Sequence, residues 1–496
     1  MPSEANAQPA AEAAAVPPAQ PLPVDLDAHN GLRGVAAVWV CVFHCFVLFL
    51  CHCLLYSQLE VDWQGSSLMP LFFMLSGFCL AVVYGARGAV EVSLCGRPSR
   101  CSCCGGSSSR DSAAPRPLPV LPFLQNRLAR VVPMYYFSNL LALPPAFFGY
   151  GGWPASDLQI SLALTFALLT TLATPLTGVL FSPLNGPSWT VVTLLFVWLA
   201  FPWLLQWALR LSDEAVGWAI LWCWVLQMTW AWVLFGALAP LGSWPAFATA
   251  TMHPLGRLPL FFMGVLAAVL CLRHPATAGA GQAPSLPLPI SCCGIVPLPR
   301  ACCRTRAASS SSSNGGEEQL AAGSWAATAD LTAACLLLAM LAVGAGDTAL
   351  RVLSGRPGAL LGSMWLQCCV PYAQLQLLVA LTRDGGASAT GRALRSPLAQ
   401  CLGRLSLGLY LCHFPLIAYL AWAVQGGSNA EPSVLQCASV PPAQQPACQG
   451  AAAAYAAAQL MPSWGVLVVL PGALLLAWVA GHVVEEPGRR ALRAGG

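Results

Sequence analysis

The chain has 496 residues, 57% of them apolar and only 8% charged, with a formal net charge of +4. A soluble domain carries about a quarter charged residues, so most of this surface cannot face water. All 23 basic residues are arginine, which excludes a Schiff-base lysine, a pyridoxal-phosphate anchor and the phosphate-loop lysine of nucleotide hydrolases. The positive charge is too small and dispersed for a nucleic-acid footprint.

Residues 1–24 are rich in Ala and Pro and lack a charged stretch before an apolar core, so they read as a disordered tail and not as a signal peptide. Apolar runs follow at 33–56, 67–85, 131–150, 157–177, 188–208, 216–238, 256–272, 325–344, 358–381, 401–424 and 463–483. A helix needs about 20 residues to cross the hydrocarbon, so each run is a candidate span. None alternates with the period of a barrel strand. The fold class expected is an all-α polytopic membrane protein, multi-pass and integral to a lipid bilayer.

Arginine placement orients the loops. Segments 86–130 and 273–324 and the C-terminal tail are arginine-bearing and read as cytoplasmic, whereas 57–66 and 425–462 carry none. Five apolar runs lie between the first two, an odd number that cannot return to one side. The Thr-rich run 157–177, stopped by Pro175, is the one expected not to cross. That leaves ten transmembrane helices with both termini cytoplasmic. Low-complexity cytoplasmic loops are expected at 86–122 and 273–324, with residues 95–119 and 275–324 disordered.

The cysteines inside apolar runs read as small hydrophobes. The doublets Cys292–Cys293 and Cys302–Cys303 lack flanking histidines at ligand spacing, so no metal site is expected, and palmitoylation is the stronger alternative. Cys437 and Cys448 share a loop on the non-cytoplasmic side, where a disulfide would form if that side is oxidising.

Ionisable groups inside a membrane are functional candidates because charge there is costly. The first run offers Arg33 and His44. Eleven residues turn about 1100°, three turns plus about 20°, so both lie on one helix face about 16 Å apart. Arg33 sits at the cytoplasmic mouth. The geometry suits an elongated anion held at Arg33 with its reactive end at His44, a residue type that serves as general base near neutral pH; a packed histidine bonded to a helix carbonyl is the alternative. Arg127 and Arg130, three apart, face one way and could grip phosphate or simply set topology. Tyr410 and His413 share a face, His413 being a second proton carrier or a polar helix contact.

Several motifs in order resemble the acyltransferase 3 family of membrane O-acyltransferases. They are Gly31–Ala37 ending at His44, Leu71–Phe78, Phe123–Tyr136 with Arg127 and Arg130, Asn185–Trp189, Arg257–Gly264, Leu402–His413, and Val484–Pro487 with Arg489 and Arg490. Together they span a membrane domain over 25–493. The resemblance implies ten helices and transfer of an acyl group, usually acetyl, from cytoplasmic acyl-CoA to a hydroxyl of a carbohydrate, lipid or small-molecule acceptor. It implies His44 and Arg33 as catalytic, Arg127 and Arg130 on the acyl-CoA side, and Trp189, Ser188, Tyr410 and His413 as supporting candidates. Acyl-CoA enters as co-substrate, with no permanently bound cofactor. The sequence departs from the family where a glutamate often follows the tryptophan, since Trp189–Leu195 holds no carboxylate. Leu260 stands where an acidic residue is common, and three residues separate Asp27 from Gly31. A transporter and an inactive relative are the competing readings; no internal repeat supports the first, and the Arg33–His44 spacing argues against the second.

Overall fold

The computed structural model describes residues 24–49, 65–86, 90–93, 116–147, 155–172, 184–238, 243–274, 325–343, 359–424 and 464–494. The tail before Val24, Glu60, Asp62, the cysteine doublets and the pair Cys437 and Cys448 lie outside the described residues.

In chain order the helices are α1 (Asp27–Phe49), α2 (Met69–Gly85), α3 (Val120–Phe147), α4 (Ala155–Phe166), α5 (Trp189–Arg210), α6 (Asp213–Leu238), α7 (Ser243–Met252) and α8 (Pro254–Arg273). Next come α9 (Trp325–Val343), then α10 (Ala359–Cys369), α11 (Pro371–Arg383), α12 (Ala389–Leu394), α13 (Pro397–Val424), α14 (Gly465–Ala480) and α15 (Glu486–Ala494), with a π turn joining the last two. Six segments among the described residues are long and apolar enough to cross a membrane: Gly186–Arg210, Asp213–Leu238, Ala246–Arg273, Trp325–Val343, Pro397–Leu420 and Gly465–Ala491. Large apolar side chains point outward from them, including Trp222, Leu226 and Val233 on α6 and Leu467, Leu475 and Trp478 on α14. On a bundle of this composition such faces belong in lipid, and the protein is an integral membrane protein.

α8 is the centre of the bundle. It is apolar on every face, and every residue from Pro259 to Cys271 is buried, as expected of a helix enclosed on all sides. α2 packs parallel to it, Phe73 meeting Arg257 near one end and Gly85 meeting Leu272 near the other. The approach needs glycine: a Cβ on Gly77 would lie 2.1 Å from the Phe261 carbonyl oxygen, and one on Gly264 2.0 Å from that of Met74. α6 runs antiparallel, its first residue Asp213 bonded to Arg273 at 2.8 Å and to His274 at 2.6 Å where α8 ends.

Three elements bear on the sequence reading, and the last two differ from it. The run 157–177 yields α4, whose 12 residues reach only about 18 Å, too little to cross as one helix. Its helix stops before Leu168, which adopts φ 59°. Tyr135 and Tyr136 donate to the carbonyls of Thr165 and Phe166 at 2.7 and 3.0 Å, satisfying acceptors that the ending helix leaves open. The run 358–381 is two helices, because Pro371 lacks the N–H that would continue the ladder from α10. Within the loop read as disordered, Arg116–Pro119 forms a short strand parallel to Val90–Ser93, and α3 begins at Val120, eleven residues before the apolar run. That amphipathic start, which carries Arg127 and Arg130, has too many polar residues for a hydropathy reading to find.

Candidate active site

The site is built on the seam between α1 and α13. Asn30, Arg33, Ala37, Cys41 and His44 recur every three or four residues of α1, one stripe of a helix. This stripe meets α13 in parallel register. Gln400 donates to the Asp27 carbonyl at 2.7 Å and accepts from Asn30 at 2.9 Å. Arg33 follows, its Nε donating to Ser406 Oγ at 2.9 Å and its Nη2 to the Gly403 carbonyl at 2.8 Å and Asn30 Oδ1 at 2.7 Å. Ala37 and Cys41 then pack with Leu409 in an apolar layer, and His44 meets His413 above it. Glycine again sets the spacing, since a Cβ on Gly34 would lie 2.4 Å from the Gly403 nitrogen.

The two imidazoles fix each other's tautomer. His413 Nδ1 lies 3.1 Å from the Leu409 carbonyl, so it carries the hydrogen and its Nε2 is an acceptor. His44 Nδ1 lies 3.0 Å from the Val40 carbonyl and 3.0 Å from His413 Nε2. Both neighbours are acceptors, which assigns the hydrogen to His44 Nδ1 and leaves its Nε2 with a basic lone pair. Phe43 and Phe414 stand edge-on to the His44 ring, with centroids 5.1 and 6.0 Å away. Among the described residues the side chain bonded to His44 is therefore another imidazole and not a carboxylate.

The remaining sequence candidates divide. Arg33, Arg127 and Arg130 are brought together: Arg130 lies within electrostatic reach of both others and of Glu485, and Glu485 within reach of Arg33. Arg127 also stacks against Tyr84 and Phe123, 5.9 and 5.8 Å from their centroids. Tyr410 is buried beside His413, its hydroxyl 3.4 Å from Met69 Sδ. Ser188 and Trp189 support the site without reaching the imidazoles. Ser188 donates to the Asn185 carbonyl at 2.7 Å, and Asn185 donates to the Leu411 carbonyl at 2.8 Å, pinning the Asn185–Trp189 turn to α13. Ser76 receives the Trp198 indole N–H at 3.1 Å and is a packing residue.

Two groups escaped the sequence reading. Glu485 belongs to a quoted motif, but only the fold shows that it faces the arginines. Arg257, also in a motif, is buried with 1% exposure. A charged residue inside the apolar run 256–272 was the signal that could have singled it out.

The model of the acyltransferase 3 family, described as an acyltransferase domain, matches residues 26–482, which include both histidines, the three clustered arginines and Arg257. No curated protein and no solved structure matches the chain. With the family's model covering nearly the whole of it, the protein belongs to the acyltransferase 3 family and is a membrane acyltransferase.

Proposed function

We propose that the protein transfers an acyl group, acetyl by preference, from cytoplasmic acyl-CoA to a hydroxyl of a carbohydrate, lipid or small-molecule acceptor, through ten crossings with both termini cytoplasmic. The observation that carries this reading is the His44–His413 contact, 3.0 Å between ring nitrogens, on the same stripe as Arg33. Arg33, Arg127 and Arg130 form a cationic mouth suited to the phosphates of CoA, with Glu485 limiting its net charge. From Arg33 the seam rises about 16 Å to His44, the height that a pantetheine arm lying beside it would have to span.

In this mechanism His44 Nε2 takes the proton of the acceptor hydroxyl as its oxygen attacks the thioester carbonyl carbon. The Nδ1–H of the resulting imidazolium is held by His413 Nε2 and the Val40 carbonyl, which spread its charge without a carboxylate. Collapse of the tetrahedral intermediate breaks the carbon–sulfur bond, and the thiolate recovers the proton from His44 Nε2. The ester and free CoA thiol leave. Tyr410 buttresses His413, while Trp189 and Ser188 hold the turn beneath it.

The test is acetyl-CoA-dependent labelling of membranes carrying the protein. His44→Ala should lower labelling by at least about 10²-fold, the scale of general-base catalysis, at unchanged protein level. Full labelling by that variant would sink the mechanism.

A further inference from the structure

Among the described residues Arg257 is a cation without a counter-charge. It is the largest fully buried side chain described, at 1% exposure. A guanidinium has five N–H donors; here Nη2 donates to Gln367 Oε1, and Nε has no partner. The rest of its surroundings are the ring faces of Phe73 and Trp189, 5.7 and 5.8 Å from its carbon, with Tyr410 and Cys368 within electrostatic reach. No carboxylate among the described residues forms an ion pair with it. Aromatic faces and one amide offset only part of the loss of water around a charge. A group kept charged in such a place calls for an anion.

Its position says which substrate would bring one. Arg257 lies in the first turn of α8, about 24 Å along the helix from Arg273, and so at the far end of the bundle from the arginine mouth. Trp189, against its face, begins α5 just after the turn pinned to α13. Tyr410, within its reach, sits one helical turn before His413. Arg257 thus lies one helical turn from His413 and outside the arginine mouth, since Phe73, which it faces, is eleven residues, about 16 Å, along α2 from Tyr84, which faces Arg127.

We propose that Arg257 is the oxyanion-binding group of an acceptor subsite, so that the acceptor carries a carboxylate or phosphate as well as the hydroxyl that is acylated. This rests on the reading of His44 and the arginine mouth given above. The free N–H donors of Arg257 grip the anion; Gln367 and the two rings hold the guanidinium in plane.

The experiment uses the full chain in a neutral maltoside detergent, with thermal unfolding followed at constant ionic strength. Saturating coenzyme A first fills the arginine mouth, and inorganic phosphate then replaces chloride as the probe. Wild type and Arg130→Gln should show a saturable rise in Tm of a few degrees with phosphate, and Arg257→Met should show none. Without phosphate, Arg257→Met should unfold at or above the wild-type temperature, because an unpaired buried charge has been replaced by an apolar chain of similar length. A structural role through Gln367 predicts the reverse. The proposal is overturned by a phosphate response that survives in Arg257→Met, or by its absence in wild type. A wild type indifferent to coenzyme A instead counts against the donor reading and leaves the phosphate comparison intact. A rise restricted to vesicles of anionic phospholipid would assign Arg257 to a lipid headgroup and overturn the acceptor assignment.

Discussion

The two closest helix pairs use the same device to different ends. α1 and α13 meet through Gly34 and Gly403, α2 and α8 through Gly77 and Gly264, and in each the missing side chains let backbones touch. Between α2 and α8 the gap is filled with apolar packing, Met74, Phe78, Phe261 and Val265 all buried. Between α1 and α13 it is crossed by polar bonds, from Asn30–Gln400 through Arg33–Ser406 to His44–His413. Close packing in lipid holds helices together in both cases. Only in the second does it also hold polar groups at fixed heights, which is what an arginine and a histidine acting on one elongated substrate require.

Breaking the apolar pair should have the largest effect. Gly264→Ala forces a Cβ to within 2.0 Å of the Met74 carbonyl oxygen, a backbone atom with nowhere to go. Overpacking of this kind costs about 1–3 kcal/mol, enough to lower Tm by several degrees and to deplete folded protein. Gly236→Ala on α6 is the control: a Cβ there meets nothing within 4 Å, and the change should stay within about 0.5 kcal/mol. Equal losses from both would mean that α2 and α8 are not in close contact.

On the polar seam, His413→Ala should leave the fold and the KM for acyl-CoA unchanged while kcat falls about 10²-fold, the lower end of what general acid–base groups contribute. Its imidazole acts through His44, accepting the Nδ1–H that keeps Nε2 basic. His413→Gln, whose amide oxygen can accept the same hydrogen, should recover part of the rate. If alanine and glutamine lower kcat equally, or if KM moves instead, His413 is a packing residue and not a positioning one.

Much of the seam was legible before any coordinates. The eleven-residue spacing alone put Arg33 and His44 on one face, because helical period is a property of the backbone and not of the neighbours. Which residue would stand opposite His44 was not legible, since 369 positions separate it from His413 and only the parallel register of α1 on α13 decides it. Tyr410 and His413 could be assigned to one face, but that face had no known partner. The break at Pro371 was readable in principle and was overridden by the continuous apolar run around it. The start of α3 was legible through the motif that carries Arg127 and Arg130 and not through hydropathy, for its first eleven residues are too polar to extend the apolar run. Arg257 was read as part of a motif, and its isolation among aromatic rings appears only when four helices are assembled around it.

The smallest expected effect lies at the foot of the seam, where the polar ladder begins outside the apolar part of the bundle. Asp25 Oδ2 accepts from Arg395 Nε at 3.0 Å, and the same guanidinium reaches the buried Asp384 at 3.3 Å. Partial burial pushes the Asp25 carboxyl up, but the Asp27 backbone N–H and the Arg395 guanidinium outweigh it and hold it below the usual carboxylate range. A carboxyl lowered by folding adds stability above its unfolded value, near 3.9, and loses it as pH falls through the lower folded value. With half of its side chain exposed, the pair is worth about 0.5 kcal/mol, as surface ion pairs generally are. Asp25→Asn should therefore lower Tm slightly at pH 7, and the gap from wild type should close as pH drops below about 4. A gap that persists unchanged into acid would make Asp25 a hydrogen-bonding cap on α1 whose charge does nothing. The ladder would then draw its electrostatics from Arg33 upward, and the seam would be held at its foot by Gln400 and Asn30 alone.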